Sequence, residues 1–380
     1  MKIDTLANHF QIDAPKADNE PLVPPIYQSV KFTFDGFAKV KDLFEGRRDG
    51  YFYSRYKNPT VKQLEQLLAQ AQGTESGLAT GSGVAAISTA LLSLLKSGDQ
   101  IVYFIESYRP TRTIIENILG KFGVKGVKLS LDDMNGIENA FKQEETKFVI
   151  WESPTNPQLK TPNNRKIIQL AKEFGVTSIL DNTFAGFHKN RDLDVDLYIH
   201  SLTKYACGHG DAMGGVILGS HSLIKTIHKD ACELGPVLDP NSAYLILRGM
   251  KTYQLRYERQ SQNASKLASW LSEQEPVEKV FFPTPNECSK DEDLGTVLMF
   301  NLKDKEKAIE DVIDKLQLFT LSASLGSTES LVAPALYFYG GDLNPEQREK
   351  ANLDRTSIRL SLGIENCDDL IQDLQQALHL

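Results

Sequence analysis

The feature that most constrains this chain is an alternation of short apolar runs with amphipathic stretches. The apolar runs have the length and composition of buried strands, and they occupy 101–105, 147–151, 176–180, 197–199 and 215–218. Helical stretches such as RTIIENILGKFG and NNRKIIQLAKEFG separate most of them. Buried strands that alternate with helices are typical of a mostly parallel sheet with helices on both faces. We therefore predict an α/β fold.

Before this alternation, the sequence over residues 1–73 predicts an extended arm followed by a helix. Residues 1 to about 50 look irregular, and EPLVPPIYQSVKF within them is Pro-rich and extended. A helix is expected over 58–73, where Asn58 is a good N-cap and Pro59 suits the first helical position. Gly73 follows this helix and favours its termination.

Beyond about residue 240 the pattern changes to that of a smaller α+β unit. A long helix is expected first, with a break near Gly249. The later features are strands at 296–302 and 357–363, a helix around 305–316, a polar, turn-rich stretch at 340–350 and a final helix. The predicted organisation is therefore an arm over 1–57, a large domain over 58–240 and a small domain over 241–380.

Composition excludes several classes of partner. The 380-residue chain has a formal net charge of −8, which gives nucleic-acid binding no electrostatic support. Its four cysteines form no disulfide framework and show no metal-ligand spacing. The start of the chain has no apolar signal-peptide core, and no apolar run is long enough to span a bilayer. We expect a cytoplasmic protein without a metal, nucleic-acid or membrane partner.

Polar side chains follow the predicted strands where each strand ends. They are Glu106 to Tyr108, Glu152 to Asn156, Asp181 to Thr183, and His200 to Lys204. Ligands of such sheets bind at the carboxyl ends of the strands. A lysine, an aspartate and an aromatic ring at this edge suit pyridoxal phosphate (PLP), because a lysine holds its aldehyde and a carboxylate pairs with its pyridine nitrogen. A lone lysine such as Lys204 would more often lie at the surface, and the surrounding residues favour the functional interpretation.

The order of several short motifs makes a family resemblance plain. They are VPPIYQ (23–28), YSRYKNPT (53–60), SGVAA (82–86), ESPTNP (152–157), DNTF (181–184), HSLTKY (200–205), GHGD (208–211), LRGMKT (247–252), SLG (324–326), ESL (329–331) and IRLSLG (358–363). Each motif is weak alone, but the set in this order is specific. The chain resembles the Cys/Met-metabolism family of PLP enzymes, which includes cystathionine γ-synthases, cystathionine γ- and β-lyases and methionine γ-lyases. The resemblance implies a fold-type-I architecture with a seven-stranded sheet.

The resemblance implies a role for each matching residue of the cofactor site. Lys204 matches the lysine that carries PLP and transfers protons, Asp181 the partner of the pyridine nitrogen, and Tyr108 the stacking and catalytic tyrosine. The residues that fall on the phosphate site are Gly83, Val84, Ser201 and Thr203.

Further matches concern the substrate and a second subunit. Arg359, Ser324 and Asn156 match the site for the substrate α-carboxylate, where an arginine fork suits a carboxylate. Tyr53 and Arg55 match a pair that reaches the PLP phosphate of the neighbouring subunit, where Tyr53 also assists proton transfer. The resemblance thus implies a homo-oligomer, commonly a tetramer built from dimers that share active sites.

Departures from the family pattern leave the reaction open. Arg109-Pro110-Thr111 replaces the usual Gly-Gly-Thr or Gly-Cys-Thr, and Ala323 stands where many γ-enzymes have Glu. The arginine common past the stacking tyrosine falls at Thr113, and 332–341 also differs from the family pattern. We expect γ-replacement or γ-elimination on cystathionine or an O-acyl-homoserine. The alternatives are a methionine γ-lyase, a cystathionine β-lyase and a catalytically silent paralogue that acts as a binding protein.

Overall fold

The computed structural model describes residues 2–9, 21–283, 295–305 and 309–378. Its α-helices are α1 Ile3–His9, α2 Phe37–Phe44, α3 Pro59–Gln72, α4 Gly83–Leu94, α5 Arg109–Thr113, α6 Met134–Phe141, α7 Asn164–Glu173, α8 His221–Leu234, α9 Pro240–Met250, α10 Tyr253–Ser272, α11 Glu310–Ile313, α12 Ala335–Tyr339, α13 Pro345–Lys350 and α14 Cys367–Leu378. Its strands are β1 Ser76–Thr80, β2 Gln100–Phe104, β3 Lys125–Leu129, β4 Thr146–Glu152, β5 Thr177–Asp181, β6 Leu197–Ser201, β7 Gly215–Gly219, β8 Val277–Phe281, β9 Val297–Leu302, β10 Thr320–Leu321, β11 Leu331–Pro334 and β12 Ile358–Ser361. Within these residues every helix is too short or too polar to cross a bilayer.

A seven-stranded sheet forms the centre of the molecule. Its strand order is β1-β7-β6-β5-β4-β2-β3, and in this sheet β7 runs antiparallel to both of its neighbours. The other pairs, from β6 across to β3, are parallel. The predicted α/β fold with a mostly parallel sheet of seven strands is confirmed.

Both faces of this sheet are buried, which explains the continuous apolar runs. On β2, Val102 and Phe104 belong to one core cluster, together with buried residues of α3, α7 and α9. Ile101 and Tyr103 belong to the cluster on the opposite face, together with residues of α4 and α8. Side chains alternate between faces along a strand, so a strand with two covered faces must be apolar throughout.

The helix expected over 58–73 is α3, and its ends are as predicted. The Asn58 side chain accepts hydrogen bonds from the backbone N–H groups of Thr60 and Val61, at 2.9 and 3.4 Å. Pro59 lies in the first turn, where its missing N–H costs nothing. Gly73 ends the helix with φ +87°, a left-handed conformation that glycine adopts without strain.

A second sheet of five strands lies in the C-terminal part of the chain. Its order is β10-β11-β12-β9-β8, and every pair except β10 with β11 is antiparallel. Residues of α10, α11 and α14 share an apolar cluster with this sheet. The strands expected at 296–302 and 357–363 are β9 and β12. The long helix expected after residue 240 is interrupted between α9 and α10, at Lys251 and Thr252.

The sequence interpretation of the N-terminal 50 residues as irregular was wrong in two places. Helix α1 buries Ile3 and Ala7 and packs against α3, α9 and α10. Helix α2 buries none of its side chains, and Phe37 and Phe44 on it are exposed. An amphipathic helix of two turns is too short to give a clear periodic signal, which is why both were missed.

Other elements were also missed or misjudged. The stretch at 340–350 contains α13, whose Asn344 and Gln347 form a reciprocal capping box at its start. Strands β1 and β3 were overlooked because β1 is built mostly of small residues and β3, with Lys125, Gly126 and Lys128 among its five residues, is not an apolar run. Of the helix expected over 305–316 the structure has α11, while residues 306–308 lie outside the described part.

Candidate active site

The candidate site lies where β4, β5 and β6 end. These strands are parallel, so their carboxyl ends meet at one edge of the sheet. The register places Glu152 of β4 beside Asp181 of β5. Ser201 ends β6, and its N–H donates to the Thr183 hydroxyl at 2.9 Å. Lys204 follows in a turn closed by its N–H donating to the Ser201 carbonyl at 3.2 Å.

Lys204 is a partly buried amine without a carboxylate partner among the described residues. Its Nζ donates to the Ser324 Oγ at 2.7 Å. Burial, and to a lesser extent the positive charge of Arg359, lowers the pKa of Lys204 to about 8. A substantial fraction of the amine is therefore neutral near pH 8, in the form that can accept a proton or attack an aldehyde.

Two buried carboxylates stand side by side behind this lysine. Asp181 accepts hydrogen bonds from the Thr183 N–H at 3.1 Å and from the Thr183 hydroxyl at 2.5 Å. Burial raises the pKa of Asp181, and the two bonds from Thr183 act in the opposite direction. Burial, followed by the charge of Asp181, raises the pKa of Glu152 well above its usual range. The repulsion favours a protonated Glu152 beside an ionised Asp181.

The phosphate side of the predicted site is formed by the start of α4 and the end of β6. The Ser82 hydroxyl caps α4 by accepting from the Ala85 N–H at 3.1 Å. A Cβ added to Gly83 would lie 2.8 Å from the Ser201 Cβ, so the two segments approach more closely than any other residue would allow. Val84 follows Gly83 in the first turn of α4. The free N–H groups of a first turn and the positive end of the helix dipole both favour binding of an anion.

Thr203, the remaining residue predicted for the phosphate site, holds the lysine turn. Its hydroxyl accepts a hydrogen bond from the Gly214 N–H at 3.2 Å. The Gly214 carbonyl in turn accepts from the Leu202 N–H at 2.9 Å. These contacts tie the two residues that precede Lys204 to Gly214, which lies directly before β7. They place the Thr203 hydroxyl next to Lys204 without showing a contact between the two.

Arg359 contacts both of the other residues predicted to bind the substrate carboxylate, Asn156 and Ser324. Arg359 of β12 is buried, and its Nη1 donates to the Asn156 Oδ1 at 3.0 Å. Its Nη2 donates to the Ser324 carbonyl oxygen. The Nε of Arg359 is buried and has no hydrogen-bond partner among the described residues. Because Ser324 also accepts from Lys204, the amine and the guanidinium meet at a single residue.

Tyr108 lies next to this cluster, whereas Tyr53 and Arg55 do not. The Tyr108 N–H donates to the Glu152 carboxylate, and burial followed by the charge of Glu152 raises the pKa of its phenol. Tyr53 is 38% exposed, its backbone forms a β-bridge with Lys31, and its carbonyl accepts a hydrogen bond from the Tyr56 N–H at 3.0 Å. Arg55 donates to the Cys232 carbonyl on α8. None of the contacts described for Tyr53 or Arg55 is with the residues that follow β4, β5 and β6 in their own chain.

The structure brings other side chains to the site that the sequence interpretation did not assign. Glu152 was noted at a strand end but received no role. Tyr339 of α12 lies under Arg359, whose Cζ is 4.3 Å from the centre of its ring. Arg112 forms a bidentate ion pair with Asp342, with both distances from its Nη2 being 2.8 Å. The sequence indicated the importance of the segment around Tyr339 only through the departure of 332–341 from the family pattern.

The residues present fit PLP on two structural observations. Asp181 is a buried carboxylate with no ion-pair partner among the described side chains, and a protonated pyridine nitrogen would supply that charge. The close packing of Gly83 on Ser201 places the first turn of α4 next to the end of β6, three residues before Lys204. The N–H groups of such a turn are the donors that a phosphate needs. In the described part of the chain, no group of three His, Cys, Asp or Glu side chains is arranged to hold a metal ion.

Comparison with known proteins identifies the family. The model of the Cys/Met metabolism PLP-dependent enzymes matches residues 4–379. The chain is 35% identical to an L-methionine gamma-lyase of Pseudomonas putida, over 98% of this chain and 96% of that one. It is equally identical to a cystathionine beta-lyase of Lactococcus lactis subsp. cremoris, over 99% of this chain and 98% of that one. The fold is also similar to a crystal structure of cystathionine gamma synthase from Xanthomonas oryzae pv. oryzae in complex with aminoacrylate and cysteine. The two structures superpose with a TM-score of 0.92 at 31% sequence identity, over 100% of this chain and 98% of that one. This chain therefore belongs to the Cys/Met metabolism family of PLP-dependent enzymes, in which the cofactor is PLP and the substrates are amino acids.

Proposed function

We propose that this enzyme catalyses γ-elimination or γ-replacement on cystathionine or an O-acyl-homoserine. The observation that carries the proposal is the contact chain Lys204–Ser324–Arg359–Asn156. In this chain the Lys204 amine, whose pKa is lowered, and the buried Arg359 guanidinium both donate hydrogen bonds to Ser324, one to its hydroxyl and one to its carbonyl. An α-amino acid whose carboxylate binds Arg359 would then present its α-proton to Lys204.

The cofactor is proposed to lie between the lysine turn and the start of α4. Lys204 would hold its aldehyde carbon, and Asp181 would pair with the ring nitrogen. Tyr108 would stack on the ring. The phosphate would take donors from the first turn of α4, at Gly83 and Val84. When bound, PLP supplies an electron sink for the charge left by proton removal.

Ser201 and Thr203 are proposed as further phosphate contacts. Ser201 faces Gly83 across the narrow approach between β6 and α4. Thr203 lies in the turn with Lys204, and its hydroxyl accepts a hydrogen bond from the Gly214 N–H at 3.2 Å and donates one to the Gly214 carbonyl at 3.4 Å. To bind a phosphate oxygen, the Thr203 hydroxyl would give up its long bond to the Gly214 carbonyl, and the Ser201 hydroxyl would donate its own proton.

Two of the residues have distinct proton-transfer roles in this proposal. Lys204, with its lowered pKa of about 8, accepts the α-proton and carries protons between carbon atoms of the substrate. The pKa of Tyr108 is raised, so its phenol stays protonated near neutral pH and acts as a donor to the leaving group. Arg359 holds the carboxylate in place while these transfers occur.

A product panel decides among the reactions of the family. Cystathionine, methionine, O-succinyl-homoserine and O-acetyl-homoserine are each offered to the PLP-loaded enzyme, with and without cysteine. We expect 2-oxobutyrate or, with cysteine, cystathionine. Pyruvate from cystathionine would instead indicate β-elimination, and 2-oxobutyrate from methionine would favour the methionine γ-lyase alternative. Absence of turnover with every substrate would contradict the proposal and favour a silent, ligand-binding paralogue.

We further propose that the active form is a homo-oligomer in which Tyr53 and Arg55 serve the site of the partner subunit. The arm preceding them exposes large apolar side chains, including Leu22, Val23 and Val30. Exposed apolar patches of this kind mark surfaces that another chain covers. A dimer is the minimal assembly, and a tetramer is the form we propose.

Subunit mixing tests the shared site. Homo-oligomers of Tyr53→Ala and of Lys204→Ala should each be nearly inactive. Mixed and reassembled, they should regain up to about a quarter of wild-type activity, because one site in a hybrid dimer then has both residues intact. Reassembled Lys204→Ala alone is the matched control. No recovery in a mixture shown to contain hybrids would place Tyr53 in the site of its own chain.

The division into an arm (1–57), a large domain (58–240) and a small domain (241–380) is retained as a proposal. The seven-stranded sheet is formed between 76 and 219 and the five-stranded sheet between 277 and 361, which supports it. A reducing, cytoplasmic location is also proposed, because Cys207, Cys232 and Cys367 are all buried free thiols.

A further inference from the structure

Tyr339, the last residue of α12, has features that its packing does not explain. Its ring is 9% exposed, and the Arg359 guanidinium lies over it with Cζ 4.3 Å from the ring centre. Its hydroxyl is buried and has no hydrogen-bond partner among the described residues. A buried hydroxyl without a partner is costly, and a bound ligand that accepts its hydrogen bond would remove that cost.

Tyr339 lies close to the reacting end of the site as well as to Arg359. Burial raises the pKa of Tyr108, Glu152 and Tyr339 are near enough to raise it further once they are ionised, and the charge of Arg359 acts in the opposite direction. Burial also raises the pKa of Tyr339, so its hydroxyl remains a donor near neutral pH. The guanidinium that we assign to the substrate carboxylate is therefore flanked by two protonated phenols.

The ion pair between Arg112 and Asp342 holds this segment in place. Asp342 follows Tyr339 by three residues, and Arg112 lies four residues beyond Tyr108. Arg112 binds Asp342 through Nε at 3.1 Å and Nη2 at 2.8 Å, while its Nη1 donates to the Ile105 carbonyl at 3.0 Å. The pair connects the two tyrosine-bearing segments and leaves the charge of Arg112 neutralised.

We propose that Tyr339 determines substrate specificity by donating a hydrogen bond to the γ-substituent of the bound amino acid. The inference rests on the proposed function, since it names a contact with that substrate. The favoured γ-substituent is short and uncharged and offers an oxygen acceptor, as an acetyl ester does. A substituent that ends in a second carboxylate is disfavoured.

Charge and burial explain this preference. A second carboxylate placed against the buried Tyr339 ring would lose its hydration. Arg112 cannot compensate, because Asp342 and backbone carbonyls already take its donors. Arg109 is about half exposed, and its Nε is 3.9 Å from the same Asp342 carboxylate. An ester carbonyl, in contrast, needs one donor, which the Tyr339 hydroxyl supplies.

The test compares Tyr339→Phe with wild-type enzyme on four substrates, all with PLP bound. O-acetyl-homoserine offers an ester acceptor, methionine a weak thioether, and O-succinyl-homoserine and cystathionine a second charge. We expect kcat/KM for O-acetyl-homoserine to fall about threefold to tenfold in the variant, the usual effect of one lost neutral hydrogen bond. The value for methionine should change less than about twofold, and wild-type enzyme should prefer the acetyl over the succinyl ester by about tenfold or more.

Tyr337→Phe is the matched control, because Tyr337 lies on the same helix with its side chain 66% exposed. It should match wild type on every substrate, and thermal unfolding and cofactor absorbance should be the same in all three proteins. If Tyr339→Phe keeps wild-type kcat/KM for O-acetyl-homoserine, or loses it equally for methionine, the inference is overturned while the proposed function stands. A wild-type enzyme that converts none of the substrates overturns both.

Discussion

Replacing Lys204 with alanine is expected to abolish the covalent attachment of PLP and to lower turnover by about 10³-fold or more. The amine is the only described side chain in contact with Ser324 Oγ that can attack an aldehyde or accept an α-proton. Two measurements check this: the visible absorbance of the lysine-bound cofactor, and the mass of the denatured protein after borohydride reduction. Wild-type protein should retain the mass of reduced PLP, and the variant should lose it.

Lys160→Ala is a matched control for this experiment. Lys160 is also partly buried near the strand ends, but its Nζ pairs with Asp132 at 2.6 Å and Glu106 at 3.1 Å. A paired ammonium is held in its charged form and is not expected to attack the cofactor. The Lys160 variant should therefore keep covalent PLP. Retention of the visible band and of full turnover by Lys204→Ala would show that another residue carries the cofactor.

The lowered pKa of Lys204 adds a pH dependence to this prediction. The neutral amine is the form that attacks an aldehyde, and the neutral fraction rises with pH, reaching one half at the pKa and approaching one above it. The rate at which cofactor-free protein takes up PLP should therefore increase with pH, up to tenfold per unit, and level off above about pH 8. Arg359→Gln should move the midpoint upward, because the charge of Arg359 helps to lower the Lys204 pKa. A wild-type midpoint near that of free lysine would contradict the burial argument.

The second large effect is expected from Arg359→Leu, which removes the proposed carboxylate site. Removing one partner of a buried, charge-assisted contact typically costs about 3–4 kcal/mol, so kcat/KM should fall by about 10²- to 10³-fold. Most of this loss should appear in KM, since the contact exists before and during the reaction. Arg359→Lys should recover little, because a single ammonium cannot reproduce the planar fork that also binds Asn156 and Ser324.

A substrate without a carboxylate provides the control for Arg359. Wild-type enzyme should handle 3-(methylthio)propylamine poorly, and Arg359→Leu should handle it no worse. If the variant loses the same factor on the amine as on the amino acid, Arg359 acts by supporting Ser324 and Tyr339 rather than by binding the carboxylate. Thermal unfolding of the variant shows whether the loss comes from misfolding.

The α/β class and the lysine edge of the sheet could be predicted from local patterns. Runs such as 101–105 are apolar at every position because both sheet faces are covered, and that requirement is visible in the sequence. The polar residues after β5 and β6, including Asp181 and Lys204, follow from the rule that parallel strands end at one edge. The short helices α1, α2 and α13 could not be predicted this way, since a helix of two turns has too few residues for a period to show.

The sequence alone determined the family, the cofactor and the order of the motifs along the chain, because these depend on which residues are present and in which order. Only the tertiary structure decided which distant residues share a contact. Arg359 meets Asn156 and Ser324 because β12 of the second sheet reaches the edge of the first, and Tyr339 lies beneath the same guanidinium. Burial and the nearby charge of Arg359 lower the pKa of Lys204, and the Tyr339 hydroxyl is buried without a partner among the described residues. These effects arise because segments more than 100 residues apart pack together, so a local stretch of sequence does not reveal them.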